Sequence, residues 1–162
     1  MALRMRHEQR NYMNTASGGS AVWSLINEGF TDFSESKNSV EYTRTYVADN
    51  IERSDVTGYA PATSYSCDVY DDDPVVKKIV AITDGELMGD ATAVSIVQFN
   101  TFDETAPNSK IFKAVRRRWT VIPDGKAGGA GTDALIYTGT LKAGGAMVSG
   151  TFDEAGKTFT EV

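Results

Sequence analysis

Between residues 21 and 162 the chain alternates apolar and polar positions at a period of two far more often than at the helical period. That pattern predicts a mainly β protein. Residues 21–33 carry aromatic and β-branched side chains around Gly29, as a strand with a bulge or bend does. Over 39–48, Val40, Tyr42, Arg44 and Tyr46 fall on one face and Glu41, Thr43 and Thr45 on the other, the mark of a half-buried strand. Residues 63–70 alternate again, with Tyr65, Cys67 and Val69 sharing a side. Residues 91–99 are apolar on both faces, as a central strand is, and 111–123 form a longer strand. A Gly-rich loop over 124–133 follows. The stretches 134–141, 147–152 and 157–162 then read as a meander joined by Lys-Ala-Gly-Gly and Asp-Glu-Ala-Gly turns.

One helix interrupts the strands, opening at Asp73-Pro74. Asp73 can accept from the free N–H groups of the first turn, and Pro74 suits the first helical position because its missing donor costs nothing there. Val76, Ile79, Val80 and Thr83 form a stripe at helical spacing, and Gly85 closes the element. The stripe should pack across a sheet. The polar stretch 48–62 is long for a connection between strands and is expected to reach toward a neighbouring subunit. Residues 1–20 end in Thr-Ala-Ser-Gly-Gly-Ser and read as a flexible N-terminal arm, with 21–162 as one domain. The predicted fold class is mainly β (α+β): a β-sandwich or half-open barrel with one flanking α-helix.

Composition supports a core of that kind. The chain has 162 residues, 41% hydrophobic and 23% charged, enough for a single well-buried domain. No stretch approaches the roughly 20 apolar residues of a membrane helix, so no membrane partner is expected. The N-terminus lacks the apolar segment of a secretory signal, so passage by the secretory route is not expected either. Charge is uneven. Residues 1–12 set Arg4, Arg6 and Arg10 against Glu8, a formal +2, which leaves −8 for the rest of a chain whose total is −6. An acidic body disfavours a conventional nucleic-acid binder, because affinity for DNA comes largely from Lys and Arg displacing counterions.

Candidate chemistry is sparse. The lone Cys67 reads as a small buried apolar residue, and the lone His7 sits in the arm without a partner to fix its tautomer. Asp68, Asp71, Asp72 and Asp73 suggest calcium, but Pro74 stands where a ligand loop would continue, and a helix cap explains them better. In the Gly-rich run Lys126 comes too early for a phosphate loop, which needs Ser or Thr directly after its Lys and a helix beyond, and a strand follows instead. Arg116, Arg117 and Arg118 lie on a strand and must alternate faces, so they are expected to pair with carboxylates, not to line one groove. No nucleophile, base and orienter occur together, so no enzyme activity, catalytic residue, cofactor or metal is expected.

From residue 29 to 75 the chain resembles a known family. The run Phe30-Thr-Asp-Phe-Ser-Glu-Ser-Lys-Asn-Ser-Val-Glu-Tyr-Thr-Arg-Thr-Tyr-Val is similar to the first strands of the tail tube proteins of long-tailed bacteriophages. Ser54-Asp-Val-Thr-Gly-Tyr-Ala-Pro-Ala-Thr-Ser-Tyr-Ser-Cys-Asp-Val-Tyr and the helix opening Asp73-Pro-Val-Val continue it. The resemblance implies a structural subunit that forms hexameric rings, stacked into a tube around an acidic lumen through which DNA passes without specific binding. It further implies assembly in the host cytoplasm, a place in the virion tail, and tape measure, tail terminator and baseplate proteins as partners. Candidate subunit contacts are Asp49, Glu52 and Asp55 in the long loop and, opposite in sign, Arg4, Arg6 and Arg10 in the arm. The alternative reading is a β-sandwich ligand- or receptor-binding module on a particle surface, with Trp23, Trp119 and Tyr59 as an aromatic platform.

Overall fold

A computed structural model describes residues 1–162. It contains strands β1 (Gln9–Asn14), β2 (Trp23–Leu25), β3 (Phe30–Ser36), β4 (Ser39–Arg44), β5 (Arg53–Tyr59) and β6 (Ala62–Asp68), then helix α1 (Pro74–Asp84). Strands β7 (Ala93–Glu104), β8 (Ile111–Lys126), β9 (Ile136–Ala143), β10 (Val148–Asp153) and β11 (Thr158–Glu161) complete the chain. Nine strands share one sheet in the order β2-β1-β7-β8-β9-β6-β3, with β10 added to β8 and β11 to β10. Strands β4 and β5 pair only with each other. The protein is mainly β with one helix, as the alternation predicts.

Strands β7 and β8 are apolar on both faces because each face feeds a different core. Val94, Ile96, Trp119 and Val121 point into the larger core, which α1 caps with Val75, Val76, Ile79 and Ile82. Val97, Phe99, Phe112 and Ala114 point the other way. There Phe99 stacks on Phe112 at 4.8 Å, Phe152 lies 4.7 Å from Tyr12, and Trp23 meets Phe152 edge-on. Tyr12 and Phe152 lie on strands separated by β7 and β8, so their contact requires the sheet to curl tightly. On the opposite face the sheet curls into a half-barrel, and the Arg6 guanidinium donates to the Phe33 carbonyl at 3.1 Å across the gap between β1 and β3.

The helix begins as the sequence predicts: the Asp73 carboxylate accepts from the N–H of Val75 at 2.9 Å and of Val76 at 3.4 Å. Its buried stripe is rotated from the expected one. Val75 and Ile82 are buried, whereas Val80 and Thr83 sit at the margin, Thr83 donating to the Ile79 carbonyl at 2.8 Å. Gly85 ends the helix with a right-handed φ of −79°, and Glu86 takes the left-handed turn at φ 48°.

Four expectations change. Part of the segment read as an arm is the strand β1, in which Asn11, Tyr12 and Met13 are buried and residues 9–13 pair with β7. The polar stretch 48–62 contains β5, and the strand before it ends at Arg44 and is exposed rather than half-buried. The Gly-rich loop starts only after Lys126, because β8 continues to that residue past a bulge at Pro123. Strands β9 and β10 are not neighbours in a meander. Both pair antiparallel with β8, along residues 119–126 and 111–116 respectively. They are one run interrupted at 144–147, and the Gly144 N–H still donates to the Arg118 carbonyl at 2.7 Å. The break lets β9 take β6 as its outer neighbour and β10 take β11.

Candidate assembly surface

The hairpin of β4 and β5 stands apart from the nine-stranded sheet. Ser39 faces Tyr59 and Arg44 faces Arg53, with a bulge opposite Val40 and Glu41. A two-stranded hairpin alone is marginally stable in water, and this one has no apolar core beneath it. Its order comes instead from a local stack. The Arg44 guanidinium lies 5.0 Å from the Tyr42 ring centre and 5.3 Å from that of Tyr46. Arg44 Nε donates to the Tyr46 hydroxyl at 2.8 Å, and its Nη2 pairs with Asp55. These bonds hold the Arg44 guanidinium above its ordinary pKa.

The hairpin's apolar side chains are left in water. Val40, Tyr42, Tyr46, Val47, Ile51, Val56 and Tyr59 are each about half exposed or more, up to Val47, which is fully exposed. Scattered single exposed hydrophobics are ordinary, but a cluster on one protruding element marks an interaction surface. The sequence shows Val40, Tyr42 and Tyr46 as an alternating stripe. It hides Ile51, Val56 and Tyr59, because Ile51 lies in the turn and the β-bulge shifts the period between Val56 and Tyr59. Val56, Thr57 and Tyr59 were the available sign that 48–62 held a strand.

Within one chain the candidate contact residues are not brought together. Arg4 pairs with Glu8 at 3.4 Å and lies over the Phe102 ring at 4.3 Å. Arg6 bonds the carbonyls of Gln9 and Phe33. Arg10 pairs with Glu154. On the hairpin, Asp49 pairs with Arg53 at 2.8 Å and Asp55 with Arg44. Glu52 is exposed in the turn just before β5.

The three consecutive arginines separate as strand alternation requires. Arg116 lies 3.7 Å from Glu161 and stacks on Phe159. Arg118 pairs with Asp90 at 3.0 Å. Arg117 turns inward beside Trp119 and lies 4.0 Å from Glu35, its Nε without a partner. It helps line a cleft of about 360 Å³ between β3 and the β7–β8 pair, with Asn11, Thr63 and Gln98. Trp23 and Trp119 are buried in separate cores, so with exposed Tyr59 they form no aromatic platform. Cys67 is fully buried; its thiol, donating to the Tyr137 carbonyl at 3.5 Å, is pushed up to about 11 by burial.

No protein-family model matches the chain, and no curated protein matches it by sequence. Solved structures do. The chain is similar to a protein in the tail of an empty GTA particle with C6 symmetry, at 15% identity and a TM-score of 0.58. That match covers 98% of this chain and 99% of the other. It is also similar to a protein of the six-fold symmetrised baseplate of the anti-feeding prophage, at 10% identity and a TM-score of 0.50. There the coverage is 92% of this chain and 96% of the other. The chain therefore shares, over nearly its whole length, the fold of proteins from tail-type particles.

Proposed function

We propose that this chain is the repeating structural subunit of a phage-type tail tube. The observation that carries the reading is the hairpin of residues 39–59, which exposes a cluster of apolar side chains that its own chain never covers. A second copy is the simplest cover, and the full-length likeness to a protein from a C6-symmetric tail supports a six-fold ring as the repeating unit. Stacked rings would enclose a channel for DNA. A wall poor in Lys and Arg suits that passage, because each phosphate contact by a cation adds affinity. In this role a tape measure protein would occupy the channel, terminator and baseplate proteins would meet the tube's ends, and the subunit would assemble in the host cytoplasm before residing in the virion tail.

The acids of the hairpin and the basic arm are proposed to meet across the subunit contact. Arg4, Arg6 and Arg10 on one copy would face Asp49, Glu52 and Asp55 on another, exchanging partners with the exposed pairs seen inside each chain. Exposed pairs contribute only about 0–1 kcal/mol each, so such an exchange has little cost. Reversing all three hairpin charges (Asp49→Lys, Glu52→Lys, Asp55→Lys) should block tube formation in sedimentation, and Glu52→Lys, which breaks no ion pair inside the chain, should weaken it with an unchanged circular dichroism spectrum. Tubes of normal yield from the triple variant would remove these residues from the contact.

A further inference from the structure

We propose that the outer face of β3, β6 and β9 is the wall of the tube's channel, a hydroxyl-lined surface that double-stranded DNA passes without adhering; this rests on the tail tube reading above. The register defines that face. Phe33, Tyr65, Cys67, Tyr137 and Leu141 point into the larger core, so the residues between them point out. Paired across the three strands, they form two rows: Asp32–Ser66–Thr138 and Ser34–Ser64–Thr140. Five of these six side chains are short hydroxyls, and all six are at least partly exposed.

Charge separates this face from the strand that adjoins it. The chain has 16 Lys and Arg, yet β3, β6 and β9 contain a single cation, Lys142. Neighbouring β8 alone carries Lys113, Arg116, Arg117, Arg118 and Lys126. Solvent-facing strand surfaces are normally defended by long charged side chains, and these strands are not. A surface that holds DNA needs cations that release counterions. A surface that holds protein is enriched in aromatic residues, Met and Arg at its centre. The face has neither; Ile122 on β8, at its border, is the nearest large apolar side chain left exposed. The apolar exposure of the molecule is instead concentrated on the hairpin, where a subunit contact is proposed. Asp32 and Asp68 against Lys142 leave the wall weakly acidic, with one net negative charge per copy, so it does not attract phosphates. Hydroxyls keep it hydrated, and their short side chains leave little to catch on a moving duplex.

Size-selective thiol labelling of variants that each add one cysteine tests the assignment. Cys67 is fully buried and stays silent, so Ser64→Cys and Thr140→Cys can be made in the otherwise native chain. In the dilute, unassembled chain both sites should react with N-ethylmaleimide and with a polyethylene-glycol maleimide too bulky to enter the tube. In assembled tubes the small reagent should keep its rate, while the bulky one slows by more than an order of magnitude at both sites. Full reaction with both reagents would place the face on the outside of the tube, and protection from both would place it in a subunit contact. Either result overturns the proposal while leaving the tube reading intact. Absence of tubes from variants and native chain alike would overturn both.

Discussion

Gly150→Ala should lower the unfolding free energy by about 3 kcal/mol, the upper part of the range for overpacking a rigid core, and the melting temperature by roughly 10 °C. Gly150 sits mid-strand in β10, paired with Ala114 on one side and Glu161 on the other. A methyl group there would lie 2.6 Å from the Phe159 ring and closer still to the Thr160 carbonyl oxygen. One obstacle is backbone, so no rotamer change relieves it. The strand β11 must lift, loosening the cover over Phe152, which is fully buried in the aromatic core. Gly145→Ala is the matched control. Its added methyl meets nothing within 4 Å, so stability should hold within about 0.5 kcal/mol, as for surface substitutions away from special features. Thermal unfolding of the two variants side by side checks the account, and equal stability would mean that β11 does not pack over Gly150 as described.

Replacing Val47 and Ile51 together with Ser should abolish tubes at concentrations where the native chain polymerises. Both are exposed in the single chain and neither belongs to the Arg44 stack that orders the hairpin, so their loss removes little from the fold and the melting temperature should stay within a few degrees. Burial in a contact is a different matter, because each large apolar side chain fully removed from water contributes about 1.5–3 kcal/mol. Even a partial loss of about 3 kcal/mol raises the concentration needed for association roughly a hundredfold. Sedimentation across a concentration series reads that shift. Unchanged polymerisation would mean that the tip of the hairpin faces solvent in the assembly.

The parts of the fold legible in the sequence are those set by local chemistry. Asp73-Pro74 announces a capped helix start, and the Gly29 bend is needed because a side chain there would strike the Asp68 carbonyl at 2.6 Å with φ at +84°. The alternation of Tyr65 and Cys67 gives the buried face of β6. What escaped the sequence depends on distant partners. In β1, Tyr12 and Met13 are adjacent and both buried because they serve cores on opposite faces, so the strand lacks the alternation that would distinguish it from a polar arm. Strands β9 and β10 read as a meander because their continuity is visible only against β8. The helix stripe was displaced because the core touches α1 from the side of Val75 and Ile82.

The candidate site was legible in outline only. The stretch 48–62 stands out in the sequence by its length, yet half of it is a strand, and its significance lies in apolar residues that polar neighbours mask. The charged residues proposed as contacts are visible in any sequence reading. Their pairing inside the chain, Asp55 with Arg44 and Arg10 with Glu154, is a property of the fold alone. The hydroxyl face of β3, β6 and β9 needs the register, since its rows draw on three segments up to about a hundred residues apart.

Negative-stain electron microscopy of the concentrated native chain, with light scattering on the dilute sample, tests the central claim most directly. The tail tube account predicts hollow tubes or rings of one uniform diameter that appear as concentration rises. A monodisperse monomer at every concentration, with no tube or ring in any field, would contradict it.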